Sequence, residues 1–227
     1  AGSPRMRLGV RLQLPTNQVF YRSLGYSVTS HHSHPGYSYP TYVSMTKDMS
    51  EPPQRVIEVA APNPAWPRQY DVEAQLLRLV FGSELVAVHH VGSTAISGIY
   101  AKPIIDTMLV VCDIEAVASF NPVLESLGYK AWGENGIAGR RYFTRGTTLR
   151  THQIHAYQVG NPEIRRHLAF RDYLRAHPDK ALVYSDHKRA VARQYPYDIY
   201  AYMDGKDALV KQLLAEALAW QEQGVES

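Results

Sequence analysis

Val91-Gly92-Ser93-Thr94-Ala95-Ile96-Ser97-Gly98, followed by Lys102-Pro103-Ile104-Ile105-Asp106, is the segment that decides the fold. Its Gly-Ser-Thr turn follows the apolar run Leu85–Val88 and a pair of histidines. Ile104–Val111 is then a nearly continuous apolar run of strand length that contains one carboxylate, Asp106. Because a buried strand rarely carries an unpaired charge, Asp106 requires a cation or a cluster of donors beside it.

The turn has the composition of an anion-binding site. Gly92 allows free backbone N–H groups to point at a ligand, and Ser93 and Thr94 add two hydroxyls. Lys102 precedes a proline, which favours extended backbone at the lysine. Its ammonium either meets a phosphate or flanks the turn as a solvated side chain. Phosphate donors on one side and a carboxylate for a metal on the other indicate a nucleotide site.

The composition is that of an ordinary globular protein. The 227 residues are enough for one large domain or one domain with an appendage, and the net charge of +3 is too small to indicate nucleic-acid or membrane binding. No apolar run approaches the roughly 18 residues that cross a bilayer, and no signal peptide is evident. The single cysteine, Cys112, excludes an intrachain disulfide, and we expect a cytoplasmic protein. Ala1–Pro4 is typical of a cloning remnant.

The central segment resembles a known superfamily. Gly92-Ser93, twelve intervening residues and an Asp in an apolar strand are similar to the nucleotidyltransferase signature. The fuller string, from His90 to Asp106, resembles the GrpB family, a branch of that fold. Three later segments resemble GrpB proteins as well: Arg140–Phe143, Arg150–His155 and His167–Arg175. The similarity extends over roughly residues 56–220. The resemblance implies an α/β (α+β) fold with a mixed sheet, flanking helices and a C-terminal helical tail.

The resemblance also implies a metal-dependent reaction, from which this sequence departs at one position. In the superfamily, two acids alternate on one strand and a third lies on a neighbouring strand. Asp106 matches the first acid, whereas Met108 occupies the second position. Period-two alternation places Gln153, His155 and Tyr157 on one strand face, so His155 would stand where the third acid is expected.

A divalent metal is therefore expected, with two interpretations of its ligands left open. Asp106, His155 and His90 could form a nitrogen–oxygen site, which suits Zn²⁺, Mn²⁺ or Fe²⁺ better than Mg²⁺. Alternatively, His155 only hydrogen-bonds Asp106 as a buried pair. The identity of the ion (Mg²⁺, Mn²⁺ or Zn²⁺) is not indicated.

Further cations are candidates for substrate binding. Arg141 and Arg150 belong to one predicted hairpin, where arginine forks either bind phosphates or project into solvent. Lys206 matches a lysine typical of GrpB tails and either reaches a triphosphate or lies on the surface.

Residues 1–50 form a predicted β-α-β-β appendage. The expected elements are Met6–Leu14, Gln18–Leu24, Tyr26–Ser30 and Thr41–Lys47. Their order resembles the C-terminal third of a GNAT acetyltransferase, in which a tyrosine at the position of Tyr21 protonates the coenzyme A thiolate. The pyrophosphate loop of that family is absent, so we expect no acetyl transfer by this segment alone. His31, His32 and His34 are interpreted as part of a polar loop rather than a metal site.

A proline-marked linker, 51–55, separates this appendage from the main domain, 56–227. The expected elements of the main domain are a strand or lead-in at Val56–Val59, helices at Tyr70–Phe81 and Glu115–Leu127, strands at Leu85–His89, Tyr129–Trp132, Arg140–Arg145 and Gln153–Tyr157, and three tail helices from Pro162, Asp179 and Asp198. Asn161 is predicted to cap the first tail helix.

Three functional hypotheses follow. The first is an enzyme that binds a nucleoside triphosphate and transfers a nucleotidyl group to a small acceptor. The second, suggested by Met108, is a ligand-binding module that has lost catalysis. The third is the accessory half of a bifunctional GNAT acetyltransferase. The acceptor, the nucleotide base and the oligomeric state are not indicated.

Overall fold

The computed structural model describes residues 5–13, 15–48, 56–146 and 149–225. The chain divides into two compact units, Ala1–Val56 and Ile57–Ser227. The predicted linker at 51–55 lies outside the described residues.

The first unit is a small antiparallel sheet with one helix. Its elements are β1 (Arg5–Arg11), α1 (Pro15–Ser23), β2 (Ser27–His32) and β3 (Tyr42–Asp48), and β3 is the central strand. Val10, Val43 and Met45 form its buried core. The β-α-β-β arrangement predicted for this segment is confirmed. The prediction that His31, His32 and His34 share a polar loop is wrong for the first two, because β2 extends through His32 and pairs both histidines with β3. His34 lies in the loop, where its Nδ1 is 2.6 Å from Thr41 Oγ1.

The second unit contains a five-stranded mixed sheet. Its elements are α2 (Trp66–Phe81), β4 (Leu85–Val91), β5 (Ile105–Val111), α3 (Asn121–Ser126), β6 (Tyr129–Ala131), β7 (Arg140–Arg145), β8 (His152–Gln158), α4 (Pro162–Ala176), α5 (Pro178–Gln194) and α6 (Ile199–Val225). The strand order is β4-β5-β8-β7-β6, in which only β5 and β8 pair in parallel. The predicted mixed α/β fold is confirmed.

Strand alternation gives this sheet two different faces. One face packs against α2 and α3, with Leu109 and Ile154 in the same core cluster as Leu77 of α2. On the opposite face, Met108 and Tyr157 pack against side chains of α4. We call these the α2 face and the α4 face. Because Asp106 and Met108 are two residues apart on β5, Asp106 belongs to the α4 face.

The tail helices form a bundle with its own core. Tyr173 and Leu174 of α4, Ala181 of α5, and Leu213 and Ala217 of α6 are buried together. The side chain of Asn161 accepts a hydrogen bond from the Glu163 N–H, as its predicted capping role requires. Within the described ranges, no helix combines the length and apolar character needed to cross a membrane.

Of the two alternatives for Val56–Val59, the structure has the lead-in and not the strand: the Ile57 N–H donates to Pro196 O, and an isolated bridge joins Ala60 to Ala101. The predicted helix Glu115–Leu127 is instead a 3₁₀ turn, Ala116–Phe120, followed by the short α3. Pro122 accounts for the break, because it lacks an N–H and restricts the residue before it.

Candidate functional site

The Gly92 turn folds directly over Asp106. Val91 and Asp106 are partners in the antiparallel register of β4 and β5, so the turn begins beside the carboxylate. A Cβ on Gly92 would lie 2.3 Å from Asp106 Oδ2, and Gly92 has a φ of 68°. Both observations require glycine here, because any other residue would collide with the carboxylate and strain the backbone. The Asp106 side chain stays 24% exposed, so a ligand can reach it.

Gly92→Ala should displace Asp106 and lower the free energy of unfolding by about 2–4 kcal/mol, since it combines backbone strain with overpacking. Gly98→Ala is the matched control, because Gly98 also has positive φ (79°) but nothing lies within 4 Å of the point that a Cβ on this residue would occupy. For that variant we expect a loss of about 1 kcal/mol from strain alone. Chemical denaturation measures the free energy of unfolding of both variants. Equal losses would show that Asp106 does not press against the turn.

Three lysines lie together beside Ser93 of the turn. Lys188 of α5 is only 2% exposed, and its Nζ donates to Ser93 Oγ at 2.8 Å. Lys102 and Lys206 lie over the ring of Tyr202, with Nζ–centroid distances of 5.5 and 5.1 Å. We call Lys102, Lys188 and Lys206 the lysine cluster.

The electrostatics of the lysine cluster favour an anion. Burial, together with the charges of Lys206 and Lys102, lowers the pKa of Lys188 to about 7, and Asp106 opposes the shift. Burial also lowers the pKa of Lys206, again opposed by Asp106. Three cationic groups therefore lie near one carboxylate, which creates a positive potential suited to a ligand with several negative charges.

The stability of the protein should rise with pH because of Lys188. Its pKa is about 7 in the folded state against an ordinary value of 10.5, so between these values the unfolded chain binds more protons. We expect the free energy of unfolding to increase by up to about 1.4 kcal/mol per pH unit between about pH 7 and 9. Lys188→Met should reduce this slope. Identical slopes for the two proteins in denaturant titrations would contradict the assignment.

His155 lies beside Asp106. The residue directly next to Asp106 in the parallel register is Gln153, whereas His155 is next to Met108, yet His155 Nε2 comes within 3.7 Å of Asp106 Oδ1. Arg140 Nη1 lies 3.5 Å from His155 Nδ1. The structure thus brings His155 and Asp106 together, as both interpretations of His155 require.

The structure places His90 on the α2 face, away from Asp106. His90 pairs with Thr107 in the register and stacks on Tyr70 of α2 at 4.6 Å, and its Nε2 lies 3.0 Å from Thr94 Oγ1. Burial lowers the pKa of His90 to about 4. The proposed ligand set Asp106, His155 and His90 is therefore not assembled, because adjacent strand residues point to opposite faces.

The donor set does not fit a resident divalent ion. Within the described parts of the chain, no three His, Cys, Asp or Glu side chains are close enough to hold a metal. Met108, the next residue on the same face of β5, is fully buried and carries no oxygen ligand. We therefore derive no step of the chemistry from a metal.

The two hairpin arginines lie in different surroundings. Arg141 is on the α2 face and forms an ion pair with Glu115 at 2.6 Å. The structure therefore does not bring it to the α4 face, where Asp106 lies. Arg150 Nη1 donates to Tyr142 Oη at 3.1 Å, and Tyr142 pairs with His155 on the α4 face. Arg150 therefore remains a candidate for substrate binding, and Arg141 does not.

Sequence reasoning missed Lys188 and Tyr184. Both belong to the buried stripe of α5, which recurs at helical spacing: Ala181, Tyr184, Ser185, Lys188, Val191 and Ala192. Tyr184 contacts the Ser93 hydroxyl, and the Lys188 ammonium lies 4.2 Å from the Tyr184 ring centroid. The sequence pattern that could have indicated Lys188 is a lysine within an otherwise uncharged helix stripe. A buried lysine is rare without a specific partner, so such a lysine suggests a functional contact.

Comparisons with known proteins agree on one family. The family model described as GrpB protein matches residues 56–216. The chain is 48% identical over 170 residues to the UPF0157 protein YqkA of Bacillus subtilis, covering 75% of this chain and 50% of YqkA. A UPF0157 protein of Pseudomonas aeruginosa is 41% identical over 167 residues, covering 72% of this chain and 68% of that protein.

A solved structure supports the same assignment. The crystal structure of the conserved protein GrpB from Enterococcus faecalis has 42% sequence identity and a TM-score of 0.70, and the match covers 72% of this chain and 99% of that chain. The matched region thus spans half the length of the Bacillus relative and nearly the whole Enterococcus protein. Given the glycine turn over Asp106 and these matches, the chain belongs to the GrpB family.

Proposed function

We propose that the second unit binds a nucleoside triphosphate at the Gly92 turn and transfers its nucleotidyl group to a small acceptor. The observation that supports this most directly is the lysine cluster at Ser93, close enough to Asp106 for the carboxylate to act on the pKa values of Lys188 and Lys206. Lys188 is held by Ser93 at 2.8 Å, and Lys102 and Lys206 lie close enough to lower its pKa. A triphosphate would supply the negative charges that this arrangement lacks.

The β- and γ-phosphates would bind to Ser93 and to the lysine cluster. Ammonium groups donate charge-assisted hydrogen bonds to phosphate oxygens, and each such bond contributes about 1.5–3 kcal/mol. Lys188 would gain its full positive charge on binding, because an anion beside it raises its pKa. Triphosphate binding above neutral pH should therefore take up a proton.

Asp106 would act on the acceptor. Its carboxylate removes the proton from an acceptor hydroxyl, and the resulting oxygen forms a bond to the α-phosphorus. The bond from the α-phosphorus to its bridging oxygen breaks, and pyrophosphate leaves with the electron pair. The lysine cluster stabilises the charge on the departing pyrophosphate. His155, whose Nε2 lies 3.7 Å from Asp106 Oδ1, would help to orient the carboxylate.

A second candidate function is a nucleotide-binding module without turnover. Met108 favours it, because this fully buried side chain stands where the superfamily has its second acid. The lysine cluster would serve either function, since it acts on phosphates rather than on the acceptor. The predicted GNAT-accessory role of residues 1–50 is a third proposal, and it concerns the other unit.

The test combines binding with turnover. The four common nucleoside triphosphates are titrated calorimetrically without metal and with Mg²⁺, Mn²⁺ or Zn²⁺, and product is followed from an α-phosphate label. Binding with release of pyrophosphate supports the transferase, and binding without product supports the module. No binding under any of these conditions rules out both. Coenzyme A is titrated in parallel, and we expect this chain to bind none.

A further inference from the structure

A cavity lies on the α2 face of the sheet, and its lining includes no residue of the lysine cluster. It has a volume of about 560 Å³, and the side chains that matter for its chemistry are Arg68, Gln69, Glu73, Arg145 and His152. Arg145 on β7 and His152 on β8 are register partners, and strand alternation places both side chains on the α2 face. The cavity is therefore separated from Asp106 by the sheet itself.

A buried network holds Arg145 in place at this cavity. Glu73 is only 3% exposed and accepts hydrogen bonds from Tyr129 Oη at 2.7 Å and from Arg145 Nη2 at 2.6 Å. Arg145 also stacks on the Tyr129 ring at 5.0 Å, and its Nη2 lies 2.9 Å from the ring nitrogens of His152. The Arg145 side chain remains 26% exposed. Its guanidinium is thus oriented in advance and still accessible, which lowers the entropic cost of binding a ligand.

The lining of the cavity is rich in donors. Arg68 and Arg145 carry positive charges, and Gln69 and Asn63 add amide groups, of which the Asn63 Oδ1 already accepts from the Ala65 N–H. The first turn of α2 also lines the cavity, and Ala65 at its N-cap provides no side-chain hydrogen bond. Glu73, the carboxylate in the lining, is already bonded to Tyr129 and Arg145. A ligand that complements this surface supplies hydrogen-bond acceptors, and Arg68 matches its negative charge, because Glu73 already offsets the charge of Arg145.

We propose that this cavity binds a small anionic metabolite through a carboxylate or phosphate group, with Arg145 and Arg68 as its two cationic contacts. The segments that line the cavity also lead into the strands of the candidate site. Pro103 precedes β5 and Thr151 precedes β8, and Thr151 O accepts from the Ile105 N–H at 2.9 Å. A ligand in the cavity therefore lies against the segments that lead into β5 and β8, and Pro103 is three residues before Asp106.

Trp66 provides a local reporter, because it lines the cavity and is 4% exposed. Its indole N–H signal is followed by ¹H–¹⁵N NMR while inorganic phosphate or succinate is added, and Trp66→Phe assigns the signal. We expect a saturable shift with one of the two anions, and the stronger binder identifies phosphate or carboxylate as the preferred group. Arg68→Gln should weaken that response about five- to tenfold, as loss of one charged hydrogen bond implies.

Arg78→Gln is the matched control, since Arg78 is an exposed arginine in the last turn of the same helix. It should leave the response unchanged. Phosphate that binds only at the lysine cluster would leave the Trp66 signal unmoved, and this result would overturn the proposal. An equal response in Arg68→Gln and the parent protein, or the absence of a saturable shift with either anion, would overturn it too.

Discussion

Asp106→Asn should reduce nucleotidyl transfer by about 10²–10⁴-fold while leaving triphosphate affinity unchanged or slightly higher. The amide keeps the shape of the side chain under the Gly92 turn but cannot accept the acceptor proton. It also removes the carboxylate nearest the lysine cluster, which favours the bound anion. Turnover of an α-labelled triphosphate and calorimetric affinity are measured on the same preparation.

Asp207→Asn controls for the loss of one carboxylate. Asp207 pairs with Lys211 at 2.7 Å on the exposed side of α6, where an ion pair contributes little. This variant should retain both turnover and affinity. Transfer that persists in Asp106→Asn would remove Asp106 from the chemistry and leave the binding function as the better description.

Lys188→Met should weaken triphosphate binding by about 10–100-fold, because it removes a charge-assisted hydrogen bond from a site that excludes water. The same variant should raise the free energy of unfolding at neutral pH by about 1–2 kcal/mol, since an apolar side chain of similar volume replaces a buried ammonium. Opposite effects on binding and stability are the expected mark of a functional group that is costly to bury.

Lys211→Met is the control for Lys188, because it removes the same charge from a side chain that is 75% exposed. Neither affinity nor stability should change by more than about 0.5 kcal/mol. If Lys188→Met lowered stability and left affinity intact, Lys188 would be a structural partner of Ser93 and not a phosphate ligand.

The local parts of the candidate site could be predicted from the sequence. The Gly92 turn and Asp106 lie close together in the chain, and the apolar run around Asp106 identifies its strand. Short-range signals also located most helices and strands, such as the Asn161 cap of α4. The alternation of Ile154 and His155 on β8 was readable as well, and it explains why His155 reaches the Asp106 carboxylate.

The remainder depends on tertiary structure. Lys188 is 95 residues from its hydrogen-bond partner Ser93, and no local pattern indicates that α5 packs against the Gly92 turn. The face on which His90 lies follows from the register between β4 and β5, which the residue pattern of β4 does not indicate by itself. Arg141 has the sequence context of a phosphate ligand, whereas the fold pairs it with Glu115. Contacts of this kind are decided by packing between elements, not by spacing along the chain.

The role of the first unit is still a prediction. Its β-α-β-β arrangement matches the expectation, whereas the similarity to GNAT acetyltransferases rests on the order of its elements and on Tyr21. Tyr21 packs against Tyr26 with ring centroids 5.8 Å apart, a contact typical of a small core. Binding of coenzyme A to a longer chain that includes this unit would support the predicted acetyltransferase role.

A crystal structure of the protein with a non-hydrolysable nucleoside triphosphate tests the proposed site most directly. We expect the β- and γ-phosphates within hydrogen-bond distance of Ser93 Oγ and Lys188 Nζ, and the α-phosphate next to Asp106. A nucleotide bound on another surface, with Lys188 still bonded to Ser93 and no phosphate beside it, would contradict the proposal.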